Sequence, residues 1–134
     1  MEILINNLTT ILILLFLIVT FLQSGVDKIM DWKGNLDFIK DHFKNSPLAN
    51  FVPLLLAKIM VMEIFAGVLM LVGIVQLVTS GNKLMAFYGL VVSALSLIFL
   101  LIGQRLAKDY AGAMTLAVYF IIVIAGLMSL AYTL

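Results

Sequence analysis

Hydrophobic and polar residues do not alternate along this chain; they segregate into long apolar runs and short polar joints. Four runs, at about 8–25, 54–78, 84–102 and 111–132, are long enough to cross a membrane. A hydrocarbon core about 30 Å thick takes roughly 20 helical residues. Inside lipid every backbone N–H and C=O must bond within the protein, so these runs are predicted to be α-helices. A membrane β-barrel would show short alternating segments instead. The first run is expected to stay as a span rather than leave as a signal peptide. It follows Glu2 instead of a basic region and leads into no A-x-A-like site.

The joints differ in length. Thr79-Ser80-Gly81-Asn82-Lys83 is a tight polar turn, and 103–110 is another short link. Each makes its flanking spans antiparallel neighbours. The connection at about 26–51 is longer and carries Asp27, Lys28, Asp31, Lys33, Asp37, Lys40, Asp41 and Lys44. Within it Leu36, Ile39 and Phe43 recur at helical spacing, opposite Asp37, Lys40, Asp41 and Lys44. That is the pattern of an amphipathic helix in the membrane interface. Asn35 is its expected N-cap. Trp32, Phe38 and Phe43 are expected interfacial anchors, with Tyr88 and Tyr132 on the spans. Ser46-Pro47 reads as the start of a further short surface helix, with a break before the second span near Pro53. The expected fold class is therefore all-α: an integral membrane four-helix bundle, one domain over 1–134, with a short amphipathic interfacial helix between the first and second spans.

Composition agrees and narrows the chemistry. Of 134 residues, 64% are hydrophobic and 11% charged, where a soluble domain is about half apolar and about a quarter charged. Cysteine is absent and there is one histidine, which removes disulfides, thiol redox chemistry, iron–sulfur clusters and His-rich metal centres. A net charge of +1 offers no phosphate-binding face for nucleic acid. No glycine-rich phosphate loop or nucleophile–base constellation occurs. Lys and Arg number four in the long connection and two after the third span, against Lys83 alone on the other side. The positive-inside rule then places both termini outside the cytoplasm.

Charges inside the spans ask for an explanation, because a central Asp, Lys or Arg costs about 2.5 to 3.5 kcal/mol on insertion scales. Glu63 lies about ten residues past Pro53 and needs a partner from another helix. Lys28, Arg105 and Lys108 fall at the same end of an up-down bundle, as do Asp109 and Tyr110. One candidate site follows: a one-sided cluster of Lys28, Glu63, Arg105, Asp109 and Tyr110. It serves either as ion pairs that fix helix register or as a polar pocket opening toward lipid. A quinone headgroup suits such a pocket, with Arg105 and Lys28 stabilising reduced oxygen and Glu63, Asp109 or Tyr110 relaying protons. His42, beside Asp41, reads as a solvated or interfacial side chain, and no metal site is expected.

These residues give the chain a resemblance. Gly25-x-x-Lys28 closes the first span, Glu63-x-x-x-Gly67 and Gly73 lie in the second, and Gly103-Gln104-Arg105-Leu106-Ala107-Lys108-Asp109-Tyr110-Ala111-Gly112 joins the last two. In this the sequence resembles the DoxX family of small four-helix membrane proteins over nearly its whole length. The resemblance implies a membrane bundle linked to redox metabolism, similar to the small subunit of thiosulfate:quinone oxidoreductase. Lys28, Glu63, Arg105 and Asp109 are the matching polar positions. The bundle is also similar to that of vitamin K epoxide reductase-like proteins, but the absence of cysteine departs from their catalytic equipment.

The expected function is a subunit in redox homeostasis, in a bacterial cytoplasmic membrane, that binds a quinone or similar lipophilic molecule. With no redox centre of its own it would depend on a partner protein for electrons. The competing expectation is a non-enzymatic scaffold or assembly factor that docks a partner, as a monomer or a homo-oligomer.

Overall fold

The computed structural model describes residues 2–132, the side chain of Tyr132 excepted. A short helix α1 (Glu2–Asn6) leads into α2 (Leu8–Met30), followed by α3 (Trp32–Phe43), α4 (Val52–Ser80), α5 (Leu84–Leu106) and α6 (Tyr110–Tyr132). Among the described residues there is no strand. The segments Leu8–Met30, Ala49–Ser80, Leu84–Leu106 and Tyr110–Ala131 are each long and apolar enough to cross a membrane. The protein is an all-α four-helix membrane bundle. Its spans form a ring in which α4 packs on α2 and α5, and α6 closes the circle against α5 and, more sparingly, α2.

The outer surface is as apolar as the core. Leu14, Leu17, Met70, Leu77, Leu90 and Val123 are fully buried, while Leu12, Phe16, Val19, Phe65, Leu71 and Ile121 are exposed. In water such a surface would aggregate; in lipid it is the solvated face. Helix association then depends on close approach rather than hydrophobicity. On the α4–α5 interface a Cβ added to Gly73 would lie 2.6 Å from the Ala86 backbone, and one on Gly89 would lie 2.9 Å from the Met70 nitrogen. Gly89 and Ser93 of the small-residue pattern in α5 are both buried there.

The ends are set by local chemistry. Gly81, at φ 74°, is the left-handed residue that terminates α4. Asn82 then accepts from the Leu84 nitrogen at 2.9 Å and starts α5. Lys108 takes the equivalent position after α5, at φ 60°. Its N–H bonds the Arg105 carbonyl, and the Asp109 N–H bonds Gln104 at 2.9 Å. This is a Schellman termination with lysine where glycine is usual. At the far end, Lys83 Nζ donates to the Leu130 carbonyl of α6 at 3.1 Å.

Three sequence expectations shift in the long connection. The first span does not stop near residue 25 but runs to Met30, carrying Asp27 and Lys28 as helical residues. The N-cap of α3 is Asp31, which accepts from the Gly34 nitrogen at 3.2 Å, and not Asn35. Asn35 lies inside the helix and donates back to the Asp31 carbonyl at 2.8 Å and to Asp27 Oδ2 at 3.3 Å. Ser46-Pro47 starts no surface helix. The Ser46 hydroxyl donates to the Phe43 carbonyl and accepts from the Leu48 nitrogen, forming a turn. A single 3-10 turn at Ala49–Phe51 then feeds α4, with Pro53 in its first turn, where a missing N–H costs nothing.

Candidate functional site

The structure pairs Glu63 with Lys28. Nζ of Lys28 lies 2.7 Å from Oε1 of Glu63, with the two side chains 15% and 6% exposed. The approach is an ion pair by distance rather than a well-directed hydrogen bond. Lys28 also donates to Ser24 Oγ at 2.7 Å and to the Ser24 carbonyl at 3.3 Å, one turn back on α2. Close packing brings the helices to this distance. Gly25 faces Ile64, and Gly67 faces Leu22, so a side chain at either glycine would collide with the opposite helix.

The other members of the predicted cluster sit apart from this pair. Both oxygens of Asp109 are engaged: Oδ1 caps α6 by accepting from the Gly112 nitrogen at 2.9 Å, and Oδ2 lies 3.3 Å from His42 Nε2. Arg105 packs its guanidinium 5.0 Å from the centroid of the Tyr110 ring, and both residues are exposed. Among the described residues no ion pair joins Arg105 or Asp109 to Glu63. Lys58, on the outer face of α4, lies over the Phe99 ring at 5.1 Å.

His42 is the unexpected participant. Its Nε2 reaches Gln104 Oε1 at 3.1 Å as well as Asp109. Two acceptors on one ring nitrogen require that nitrogen to carry its hydrogen. Phe43 stands edge-on to His42 at 5.1 Å and packs over Gly103. The two residues dock α3 across the end of the bundle onto the α5–α6 turn. Phe43 is therefore half-buried against protein, Trp32 is half-buried, and Phe38 is 69% exposed. Tyr88 is exposed on α5, and the Tyr132 side chain lies outside the described residues.

Above the ion pair lies a cavity of about 450 Å³, in the range of small-molecule sites. α2 contributes Val19, Thr20, Phe21, Gln23, Ser24 and Asp27; Glu63 comes from α4, Leu97 and Leu100 from α5, and Leu116 and Tyr119 from α6. Val19, Gln23 and Asp27 are exposed, so the cavity opens outward along α2. Glu63, 4% exposed, is its most deeply buried ionisable group.

The cavity had a signature in the sequence. Thr20, Gln23, Ser24 and Asp27 follow the i, i+3, i+4, i+7 spacing of one helix face inside an otherwise apolar run. Tyr119 had no such signal, because one tyrosine in a span is ordinary.

No family model, curated protein or solved structure matches this chain. The case for function therefore rests on the site itself. Among the described residues, no group of His, Asp or Glu side chains is arranged to hold a metal ion.

Proposed function

We propose that this protein is a DoxX-like membrane subunit in redox homeostasis that binds a quinone or similar lipophilic small molecule. The observation that carries this reading is the outward-opening cavity with Glu63 inside it and apolar walls from α5 and α6. A lipid-soluble ligand reaches such a site from the bilayer without crossing water. Leu97, Leu100 and Leu116 would pack an aromatic ring or isoprenoid tail, while the α2 polar stripe and Tyr119 would hydrogen-bond the headgroup. Reduction of a quinone takes two electrons and two protons. The chain has no thiol with which to hold electrons, so they would pass to or from a partner protein.

The sequence reading placed Lys28 and Arg105 against the ligand. The geometry supports a different division of labour. Lys28 holds Glu63 in place from behind, and Arg105 lies outside on Tyr110. The cavity-lining groups replace the broader cluster as the favoured contacts.

The test is direct binding. In nanodiscs, a short-chain benzoquinone is expected to bind the wild-type protein saturably, and Leu116→Phe, which fills the cavity, is expected to abolish that binding. No saturable binding of either redox form to the wild type would end this reading.

A further inference from the structure

The lining of a cavity selects its ligand by what it donates and accepts. The polar side chains facing this one are Thr20, Gln23, Ser24, Asp27, Glu63 and Tyr119. Two are carboxylates and none is a cation. The Lys28 ammonium is engaged with Glu63 and Ser24 and does not line the space.

Acceptors prevail in detail as well. The Thr20 hydroxyl donates its hydrogen to the Phe16 carbonyl at 2.9 Å, which leaves it only lone pairs to offer a ligand. Ser24 Oγ already receives Lys28. Lys28 meets Oε1 of Glu63, while Oε2 carries no hydrogen bond among the described residues. Only the Gln23 amide, the Ser24 hydroxyl and the Tyr119 hydroxyl can donate freely.

A quinone presents carbonyl oxygens, which accept and cannot donate. Set against Glu63 and Asp27, they would face like partial charge. The two-electron, two-proton reduced form is an aromatic diol with two O–H donors, and O–H bonds to ionised oxygen are among the stronger hydrogen bonds. We propose that this cavity holds the reduced, hydroxyl-bearing form of an aromatic redox lipid in preference to the oxidised form. Glu63 is the deep acceptor and Asp27 the acceptor nearer the opening. The inference rests on the ligand class proposed above and adds which redox form is bound. Lys28 acts as a positioning residue, holding Glu63 by one oxygen and leaving the other to the ligand.

The experiment compares a decyl-benzoquinone with its quinol, anaerobically, against the full chain in nanodiscs. The quinol is expected to bind at least about tenfold more tightly, the discrimination that one hydrogen bond to a charged group supplies. Glu63→Gln and Asp27→Asn are each expected to reduce that ratio severalfold. Asp27→Asn serves even where Glu63→Gln does not fold, because Asp27 is exposed and its oxygen is met only by the Asn35 amide. Equal or tighter binding of the quinone overturns the preference and leaves the ligand class standing. Tighter binding of a matched decylammonium would make this a cation site and overturns the ligand class together with the preference. A ratio unchanged in every variant that folds also overturns the preference. Binding of neither redox form removes the inference and the proposed function together.

Discussion

The α4–α5 interface and the α2–α6 interface are built on opposite principles. Along the first, Gly73 meets Ala86 and Gly89 meets Met70 at backbone distance. The Ser93 hydroxyl there turns back to the Gly89 carbonyl at 2.7 Å and leaves no free polar group. Along the second, contact is sparse, and the loop-side half opens into the cavity between Thr20, Gln23 and Tyr119. Only the far half is closed, by the Thr10 and Ser129 hydroxyls at 2.5 Å and by Gly126 against Ile13. Dispersion and small-residue packing hold spans together in lipid. An interface without them is a place where the bundle gives up stability, and a polar-lined cavity fills that place here.

Changes at four places probe this contrast. The largest effect is expected at the cavity's back wall. Lys28→Met leaves Glu63 as an unpaired buried charge and should lower stability by about 3 to 5 kcal/mol. The double variant Lys28→Met/Glu63→Leu should recover most of it, since an apolar pair replaces a desolvated ionic one. Denaturant titration in mild detergent measures both. A neutral single variant would mean that solvent from the cavity already compensates Glu63, and that the pair is not structural.

Next comes Gly73→Val in the tight interface. Its added carbons meet Ala86 backbone that cannot rotate away, for an expected loss of about 1 to 3 kcal/mol. Leu116→Phe enlarges a side chain in the loose interface, where there is space to receive it. Its thermal midpoint in detergent should stay within a few degrees of wild type; a large drop would show that the cavity wall is as constrained as the α4–α5 interface. Thr10→Val removes the hydroxyl contact to Ser129, and interhelical hydrogen bonds in membranes average about 0.6 kcal/mol. An effect several times larger would mean that this one contact holds the α2–α6 interface closed.

How much of this the sequence carried depends on the distance over which each feature is decided. The four spans were legible because a bilayer imposes length and apolarity on each helix separately. That Glu63 needs a cation from another helix was legible, because a charge in a span needs a partner; the sequence left Lys28, Arg105 and Lys108 open, and the fold selects Lys28. The end of α2 was misplaced because Asp27 and Lys28 look like a stop; a helix continues through charges when one has a partner and the other an exposed position. Asn35 was read as the cap because its side chain is of capping type; Asp31 has the same ability and lies where the turn forms.

The sequence reading of His42 as a solvated or interfacial side chain missed its docking role. Its acceptor on Gln104 lies 62 residues away and faces it only after α3 has folded across the bundle end. The cavity was half legible. The α2 stripe stands in the sequence, but the α6 wall that encloses it follows from where the ring of helices closes loosely.

The order of the helices in the chain gives the Lys28–Glu63 pair one more consequence. Its members belong to consecutive spans, so the pair can form as soon as α2 and α4 have entered the bilayer as a hairpin. The carboxylate then meets its ammonium before α5 and α6 have been made, and no nascent intermediate need hold Glu63 unpartnered while the rest is synthesised. The cavity has the opposite history. Its walls come from the first span and the last, so it is completed only when biosynthesis of the bundle is done.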